Sequence, residues 1–229
     1  MVEHVGIILD GNRRLAKRLM QEPWKGHEWG AAKVEKLFDW CSELGIKELT
    51  LYAFSMQNFN RPKVEFDHLM RIFNNEFKKL QTDTRLVKES IKINFIGRIN
   101  LFSTEIQENM HKLMDLTKNH SKHIVNFAMA YGGREEITDA AKKLALEIKS
   151  GKVAPEQVNE DLLSTYLYMN NSPDLIIRTG GDRRTSNFLP WQSIYSEWFF
   201  LDKMWPEFEK EDLIKVIQEF NGRERRFGK

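Results

Sequence analysis

Short apolar runs alternate along the chain with longer stretches in which apolar residues recur every three or four positions. Runs of the first kind predict buried strands, and stretches of the second kind predict amphipathic helices. The predicted strands cover residues 4–9, 48–54, 91–96, 124–130, 175–178 and 198–201. The predicted helices cover residues 30–43, 64–88, 101–119, 135–149, 160–168 and 210–221.

This order of strands and helices predicts one α/β domain over residues 1–229, with a mostly parallel central sheet of about six strands flanked by helices. The strands are continuously apolar rather than alternating, which indicates burial on both faces of the sheet. Neither a repeat nor a linker divides the chain. In sheets of this kind, ligands bind beyond the carboxyl ends of the strands.

The predicted helix over residues 64–88 carries an apolar stripe with two interpretations. Its members are Phe66, Leu69, Met70, Phe73, Phe77 and Leu80. Such a stripe is typical of a helix that packs on a core, but part of it could instead line an apolar tunnel. Spacing alone does not separate the two.

Composition narrows the class of protein. The chain is 41% hydrophobic and 30% charged, as in a soluble globular protein, and its net charge of +2 gives no overall attraction to nucleic acid. The single cysteine, Cys41, excludes an intramolecular disulfide and is typical of a reducing compartment. No apolar run approaches the roughly 18 residues of a membrane span, and no signal peptide is expected before the first strand. We therefore expect a cytoplasmic protein without a nucleic-acid partner.

Polar residues gather directly after four of the predicted strands. The loops at residues 10–14, 55–62, 131–134 and 178–187 each contain arginine, together with glycine, small polar side chains or both. Arginine binds phosphate oxygens through two donors, and glycine lets the backbone approach a ligand closely. Two arginine-bearing loops predict two anionic groups or one large one. A carboxylate there would weaken anion binding unless a divalent cation bridges it to phosphate, so Asp10 is a candidate Mg²⁺ ligand or acid/base.

Each of these features also has a purely structural interpretation. Asp10 could cap the next helix, and Arg61 with Glu65 could form an exposed i,i+4 pair. Gly180 and Gly181 could form only a tight turn, and His27 could be a surface histidine. The same chemistry after four strands favours a functional site. A nucleotide phosphotransferase would require a P-loop, and the sequence contains no GxxxxGK[ST] motif.

Six fragments stand in order along the chain: HVGIILDGNRR, GHEWGA, LTLYAFSMQNFNRPKVE, FAMAYGGREEI, IRTGGDRRTSNFLPWQSIYSEWFFLDKMWPEF and RERRFG. Together they closely resemble the cis-prenyltransferases, the undecaprenyl diphosphate synthase family. The resemblance spans residues 4–228. The DDxxD signature of the unrelated trans-prenyltransferases is absent.

The resemblance implies a homodimeric "butterfly" fold with a hydrophobic tunnel. It also implies Mg²⁺-dependent condensation of isopentenyl diphosphate with an allylic diphosphate of the farnesyl or geranylgeranyl class, in the Z configuration. We expect a long, undecaprenyl-like product, with peripheral membrane contact for its release. A short-chain or irregular synthase and a non-catalytic partner subunit are the alternatives. Phe127 and Met129 could stop chain growth, or could simply belong to the core.

The resemblance also implies roles for individual residues. Asp10 matches the family's essential aspartate and metal ligand, and Glu197 matches an acid associated with the metal. The residues implied to contact the allylic diphosphate are Gly11, Asn12, Arg13, Arg14 and His27. The loop over the site is implied to supply Ser55, Gln57, Asn58, Phe59, Arg61 and Glu65, and the isopentenyl diphosphate pocket to contain Arg178, Arg184, Thr185 and Ser186. Arg226 belongs to a C-terminal RxG element that can reach across the dimer interface. Asn58 is often assigned as the proton acceptor, but a neutral amide is a poor base. We expect an orienting role for Asn58 and a diphosphate oxygen as the acceptor.

The chain departs from the family pattern at five positions. Leu15 stands where tryptophan is frequent, and Gln57 replaces a common glutamate. Pro23 occupies the place of an arginine, so one phosphate contact is expected to be missing. Asp182 replaces a glutamate and Arg183 a histidine. These departures bear on metal coordination and substrate affinity, not on the reaction class.

Overall fold

The computed structural model describes residues 2–223 and contains one six-stranded sheet in the order β3-β4-β2-β1-β5-β6. The strands are β1 His4–Ile8, β2 Glu48–Ser55, β3 Ile91–Ile96, β4 His123–Tyr131, β5 Leu175–Arg178 and β6 Glu197–Phe200. Every neighbouring pair in this sheet is parallel. The predicted α/β architecture with a central sheet of about six strands is therefore confirmed.

Helices connect the strands and flank the sheet. They are α1 Asn12–Arg18, α2 Pro23–Glu43, α3 Lys63–Leu80, α4 Thr84–Lys88, α5 Thr104–Thr117, α6 Gly133–Lys149, α7 Glu160–Thr165 and α8 Lys210–Gly222, with short 3₁₀ helices at Met56–Asn60, Ile99–Leu101, Pro155–Gln157 and Trp205–Glu207. Within residues 2–223, no helix has both the length and the apolar content that crossing a bilayer requires.

The helices differ from the prediction in three places. Helix α1 was not predicted, because seven residues are too few to show a helical period. Helix α2 begins at Pro23 rather than at Gly30. Proline is favoured at the first helical position, because the backbone N–H that it lacks would make no hydrogen bond within the helix there. The stretch predicted as one helix over residues 64–88 is two helices. Asp83 accepts a hydrogen bond from the backbone N–H of Arg85 at 2.9 Å and thereby caps α4.

The sheet is buried on both faces, as its continuous apolar strands predicted. All five residues of β1 are buried. Ile7 packs in the larger core cluster, together with side chains of α2, α3, α5 and α8, whereas Ile8 packs in a second cluster with Phe188 and Met169. Successive side chains of a strand point to opposite faces, so β1 contributes to both layers.

The parallel arrangement decides where the polar loops lie. Ile8, at the end of β1, is in register with Tyr52 of β2 on one side and with Arg178 of β5 on the other. The loops that follow these strands therefore emerge side by side at one edge of the sheet.

We predict that Gly26→Ala destabilises the protein by about 1–3 kcal/mol, because an added methyl group overpacks the contact between α1 and α2. A Cβ atom at Gly26 would lie 2.0 Å from the carbonyl oxygen of Asn12, which is backbone and cannot rotate away. Urea denaturation followed by circular dichroism measures the free energy of unfolding. Gly222→Ala is the control, because an added Cβ there would meet no described atom within 4 Å outside its chain neighbours and the adjacent backbone of its own helix. Equal effects of the two substitutions would contradict the packing argument.

Candidate functional site

The loops after β1 and β5 meet through an ion pair. Arg178 donates from Nη2 to Oδ2 of Asp10 at 2.8 Å, and Nη2 of Arg14 lies 3.1 Å from Oδ1 of the same carboxylate. The backbone N–H of Gly11 also donates to Oδ1, at 2.7 Å. The structure thus brings three of the predicted site residues into direct contact around Asp10, from segments far apart in the sequence.

The helix-cap interpretation of Asp10 is wrong. Gly11 occupies the N-cap position of α1, with a left-handed φ of 104° that favours glycine. A Cβ atom at Gly11 would also lie 2.7 Å from the sulfur of Met204. The carboxylate of Asp10 therefore faces the arginines instead of capping the helix.

Asp182 is a second carboxylate of the site, noted in the sequence only as a departure from the family pattern. Its Oδ2 accepts hydrogen bonds from Nη2 of Arg184 at 2.9 Å and from Nη2 of Arg14 at 3.2 Å. The same oxygen lies 3.8 Å from Nη2 of Arg178. Asp10 and Asp182 together therefore hold the guanidinium groups of Arg14 and Arg178 between them. The glycines at the preceding two positions were the available sequence signal, because they let this loop fold back onto the arginines.

Arg178 organises the loop that follows β5. Its side chain is only 4% exposed, and its Nη1 donates to Oγ of Ser186 at 2.6 Å and to the carbonyl oxygen of Arg184. Its Nε is buried without a hydrogen-bond partner among the described residues. Guanidinium groups form strong charge-assisted hydrogen bonds with phosphate oxygens, and Arg178 lines the cavity described below.

Asn187, which the sequence did not single out, ties this loop to α6. The Oδ1 of Asn187 accepts from the backbone N–H of Arg134 at 2.9 Å, and its carbonyl oxygen accepts from the N–H of Gly133 at 2.8 Å. Ser186 and Asn187 both have left-handed backbones, with φ of 49° and 64°. Asparagine tolerates this conformation better than most residues, which was the only signal available in the sequence. Asn187 also lines the cavity described below.

A second polar cluster joins α1, α2 and α3. The carboxylate of Glu65 pairs with Arg61, lies 3.4 Å from Nε2 of His27 and 3.5 Å from Nε of Arg13. The side chain of Glu65 is 6% exposed and that of His27 is 11% exposed. The interpretations as an exposed ion pair and a surface histidine are therefore both wrong.

These contacts fix the charges of the acids. The hydrogen bond from His27 and the charge of Arg61 outweigh burial and lower the pKa of Glu65 to about 2. Burial raises the pKa of Asp10, but its contacts with Arg178 and Arg14 more than offset this, so the net shift is downward. Burial lowers the pKa of His27 below its ordinary value of 6.5. At neutral pH both carboxylates are ionised and His27 is predominantly neutral.

The loop after β2 presents polar side chains above the site. Oδ1 of Asn58 accepts a hydrogen bond from the backbone N–H of Ser55 at 2.8 Å. The amide oxygen of Asn58 is thus engaged with its own loop, which agrees with an orienting role. Phe59 does not face the cavity. Its ring packs against Phe54 and Phe102, with centroids 5.0 and 5.8 Å apart, so the predicted substrate contact of Phe59 is replaced by a core contact.

A cavity of about 1220 Å³ connects these groups to an apolar region. Predicted site residues that line its polar end are Asp10, Gly11, Asn12, Arg13, Arg14, His27, Ser55, Gln57, Asn58, Arg61, Arg178, Arg184 and Ser186. Side chains of α2, α3 and β4 line the rest, among them Val34, Phe38, Leu69, Phe73, Phe77 and Phe127. One space thus offers cationic groups at one end and hydrocarbon contacts at the other.

Both interpretations of the apolar stripe hold. Leu69, Phe77 and Leu80 are buried in the core and also line the cavity, and Phe73 packs against the core and lines the cavity as well. Phe66 and Met70 pack against the core without lining the cavity. On β4, Phe127 likewise belongs to the core and lines the cavity, whereas Met129 is fully buried in the core and does not line it.

Like Phe59, the predicted site residues Glu65, Thr185 and Glu197 do not line the cavity. Glu65 stands behind His27 and Arg61 and orients them rather than lining the cavity. Thr185 is exposed and does not line the cavity either. Arg226 lies outside the described residues.

Glu197 is not brought to Asp10 within this chain. It begins β6 in register with Leu175, at the opposite end of β5 from Arg178, and its carboxylate pairs with Arg223 at 2.6 Å. Parallel strands place their first and last residues at opposite edges of a sheet, so a residue that starts a strand lies away from loops that follow strands. A metal site shared by Asp10 and Glu197 is therefore not formed by the described residues.

The side chains at the polar end of the cavity fit a divalent cation that is held partly by the phosphates of a bound substrate. No group of three or more histidine, cysteine or acidic side chains within residues 2–223 could hold a metal ion. Mg²⁺, however, is typically bound by one or two carboxylates together with substrate phosphates. Asp10, partly exposed and facing the cavity, meets that requirement.

Comparisons with known proteins agree with this arrangement. A family described as "Putative undecaprenyl diphosphate synthase" matches residues 8–228. The chain is 47% identical to a "Tritrans,polycis-undecaprenyl-diphosphate synthase (geranylgeranyl-diphosphate specific)" of Pyrococcus horikoshii, over 99% of this chain and 87% of that protein. It is 43% identical to an "Isoprenyl transferase" of Thermus thermophilus, over 100% and 89% of the two chains. It also resembles the crystal structure of lavandulyl diphosphate synthase from Lavandula x intermedia in complex with dimethylallyl diphosphate, with a TM-score of 0.93, 35% identity, and coverage of 100% and 98%.

We predict that the ionised carboxylate of Glu65 stabilises the fold. Because its pKa is lowered from 4.5 to about 2, this contribution is present above pH 4.5 and is lost as the pH falls through about 2. Glu65→Gln should lower the free energy of unfolding at pH 7 by on the order of 2–3 kcal/mol. Its unfolding free energy should also fall less steeply than the wild type's between pH 4.5 and 2. Urea denaturation at a series of pH values measures both effects, and parallel pH profiles would refute the assignment.

Proposed function

The chain belongs to the cis-prenyltransferase (undecaprenyl diphosphate synthase) family, and we propose that it extends geranylgeranyl diphosphate with isopentenyl diphosphate units in the Z configuration to a long, undecaprenyl-like polyprenyl diphosphate. One observation carries this proposal. A single cavity joins a cluster of arginines to a region lined by aromatic and aliphatic side chains. A diphosphate with a growing hydrocarbon needs both environments in one space.

The arginines that follow β1 and those that follow β5 offer places for two diphosphates. We propose that the allylic diphosphate binds to Arg13, Arg14 and His27, and that isopentenyl diphosphate binds to Arg178 and Arg184. Both sets line the polar end of the cavity. Arg14 lies between them, because it contacts Asp10 on one side and Asp182 on the other. This arrangement supports side-by-side binding of the two substrates.

The proposed reaction breaks the allylic carbon–oxygen bond, joins the allylic carbon to the terminal alkene carbon of isopentenyl diphosphate, and releases a proton. Negative charge develops on the departing diphosphate, and preorganised guanidinium groups in a partly buried site stabilise it. Asn58 orients the reacting groups, and a diphosphate oxygen accepts the proton. The low pKa of Asp10 supports a role as an ionised ligand rather than a proton donor.

Asp10 is the residue we propose to hold Mg²⁺, together with oxygens of the allylic diphosphate. The cation, when bound, neutralises charge on the leaving group. Without ligands, both oxygens of Asp10 accept from guanidinium groups. Arg14 and Arg178 would turn to the phosphates as the diphosphate binds. The homodimer, and contributions of Glu197 and Arg226 to the site, remain predictions.

The size of the cavity and the name of the Pyrococcus horikoshii relative support a long product. At about 1220 Å³, the cavity exceeds the roughly 300–1,000 Å³ of ordinary small-molecule pockets. A product of this kind requires a bilayer for its release, and we expect peripheral membrane contact at that stage. The likeness to the lavender enzyme keeps a short-chain or irregular product as the second candidate. A non-catalytic partner subunit is disfavoured, because Asp10 and the arginines are present and assembled.

We predict that the purified protein converts labelled isopentenyl diphosphate and geranylgeranyl diphosphate to long polyprenyl diphosphates when Mg²⁺ is supplied. Products are dephosphorylated and their lengths determined by mass spectrometry. Dimethylallyl and farnesyl diphosphates serve as alternative primers. EDTA should stop the reaction and excess Mg²⁺ should restore it. Asp10→Ala should abolish turnover.

The outcomes separate the candidates. Products that end after one condensation, or branched products from dimethylallyl diphosphate, would replace the long-chain proposal with the second candidate. Failure to consume isopentenyl diphosphate with any primer would overturn both. Full turnover in EDTA or by Asp10→Ala would remove the metal and Asp10 from the mechanism.

We predict that Arg184→Ala and Arg13→Ala weaken different substrates. Each removes a partly exposed guanidinium group, one from the loop after β5 and the other from α1. A hydrogen bond between charged groups contributes about 1.5–3 kcal/mol, which corresponds to a roughly 10- to 100-fold rise in KM. Arg184→Ala should raise the KM for isopentenyl diphosphate, and Arg13→Ala that for the allylic primer. Equal effects of either variant on both substrates would refute the pocket assignment.

A further inference from the structure

Two carboxyl groups line the cavity where the proposed reaction requires none. Glu35 of α2 and Glu76 of α3 are both part of its wall. Each stands next to an apolar wall residue, Val34 on α2 and Phe77 on α3. A polar group beside hydrocarbon is unfavourable unless water or a partner satisfies it.

These carboxyl groups lie far from the diphosphate end. Helices α2 and α3 make contact near that end through His27 and Glu65. Along α2, Glu35 is about two turns beyond His27, and along α3, Glu76 is about three turns beyond Glu65. The intervening wall is apolar and includes Leu69 and Phe73 of α3. Of the described residues of these two helices, only Phe38, Phe77 and Leu80 line the cavity beyond them, within about one further turn, so the carboxyl groups lie near the far end of the hydrocarbon region.

An ion-pair network holds this end in contact with solvent. The carboxylate of Glu35 pairs with Lys79 of α3, and their side chains are 32% and 63% exposed. Nη1 of Arg85 donates to the carbonyl oxygen of Glu35 at 3.0 Å and links it to α4. Burial raises the pKa of Glu76, and the neighbouring Glu35 adds to this rise against the opposing charge of Lys79. The wall near the far end of the cavity thus carries a partly exposed ion pair beside its apolar side chains.

We infer that Glu76, together with the Glu35–Lys79 ion pair, determines the length of the prenyl product. This inference rests on the proposed function. Each added isoprene unit pushes the hydrocarbon further along the apolar wall, past Leu69 and Phe73, and replaces water with favourable contacts. A chain that reaches Glu76 and Glu35 must instead strip water from a carboxyl group and an ion pair, which is unfavourable. We expect elongation to end where the free energy of adding one more isoprene unit changes from favourable to unfavourable.

The test compares Glu76→Leu with Glu76→Gln, which is of similar size but stays polar. Wild-type protein and both variants extend geranylgeranyl diphosphate with labelled isopentenyl diphosphate, and product lengths are measured by mass spectrometry. Lys78→Leu is the matched control, because Lys78 lies on the same helix, pairs with Glu105 and does not line the cavity. We expect Glu76→Leu to shift the product distribution by one or more isoprene units towards longer chains. Glu76→Gln and Lys78→Leu should keep the wild-type distribution.

The outcomes distinguish this inference from the proposed function. Wild-type protein that makes no prenyl product would overturn the proposed function itself. Wild-type product with an unchanged distribution in Glu76→Leu would overturn only the inference. Equal lengthening by Glu76→Leu and Lys78→Leu would also overturn it, because the effect would then not be local to the cavity. Glu35→Leu, which removes the partner of Lys79, provides a second variant in case Glu76→Leu does not fold, with the same expected direction.

Discussion

The contact between Asp10 and Arg178 is the interaction on which the rest of the site depends. It joins the loops of two neighbouring parallel strands, β1 and β5, at a distance of 2.8 Å. Arg178 is nearly fully buried, and an unpaired buried guanidinium would be strongly unfavourable. Its Nη1 donates to Ser186 and to the backbone of Arg184 and so positions both. One ion pair thereby places both arginine-bearing loops against the same end of the cavity.

The carboxylates of the site keep its arginines in place without an anion. Asp10 and Asp182 hold Arg14 and Arg178, and a third acid on α3 holds the arginines of the neighbouring cluster. Guanidinium groups that are already oriented need little reorganisation when charge develops, which is the main source of electrostatic stabilisation in enzymes. The cost is that a bound diphosphate competes with these internal partners. A divalent cation at Asp10 would relieve that competition, because it turns one of the competing acids into a phosphate ligand.

The sequence supported the sheet, the helices longer than two turns and most of the polar end of the cavity. Periodicity could not find α1, because that helix is short, and it could not find the break before α4, which depends on the cap made by Asp83. Phe59 was expected to face substrate, but its ring completes an aromatic cluster behind the loop. Asp182 and Asn187 were not proposed as site residues, since their roles arise from contacts with distant segments. A sequence motif gives the order of residue types along a loop, but it does not determine which of these side chains face the ligand.

The sequence by itself determined the α/β class, the order of the strands along the chain and the chemistry of the loops that follow them, because hydrophobic period and residue type are local properties. The tertiary structure alone decided which of these loops touch. It placed Asp10 beside Arg178 but put Glu197 at the opposite end of the strands, since register and strand direction depend on pairing between distant segments. It also decided which members of the apolar stripe of α3 line the cavity, and set Glu35 and Glu76 near the cavity's far end. Burial and the partners of a charge are properties of the packed chain, which no local pattern contains.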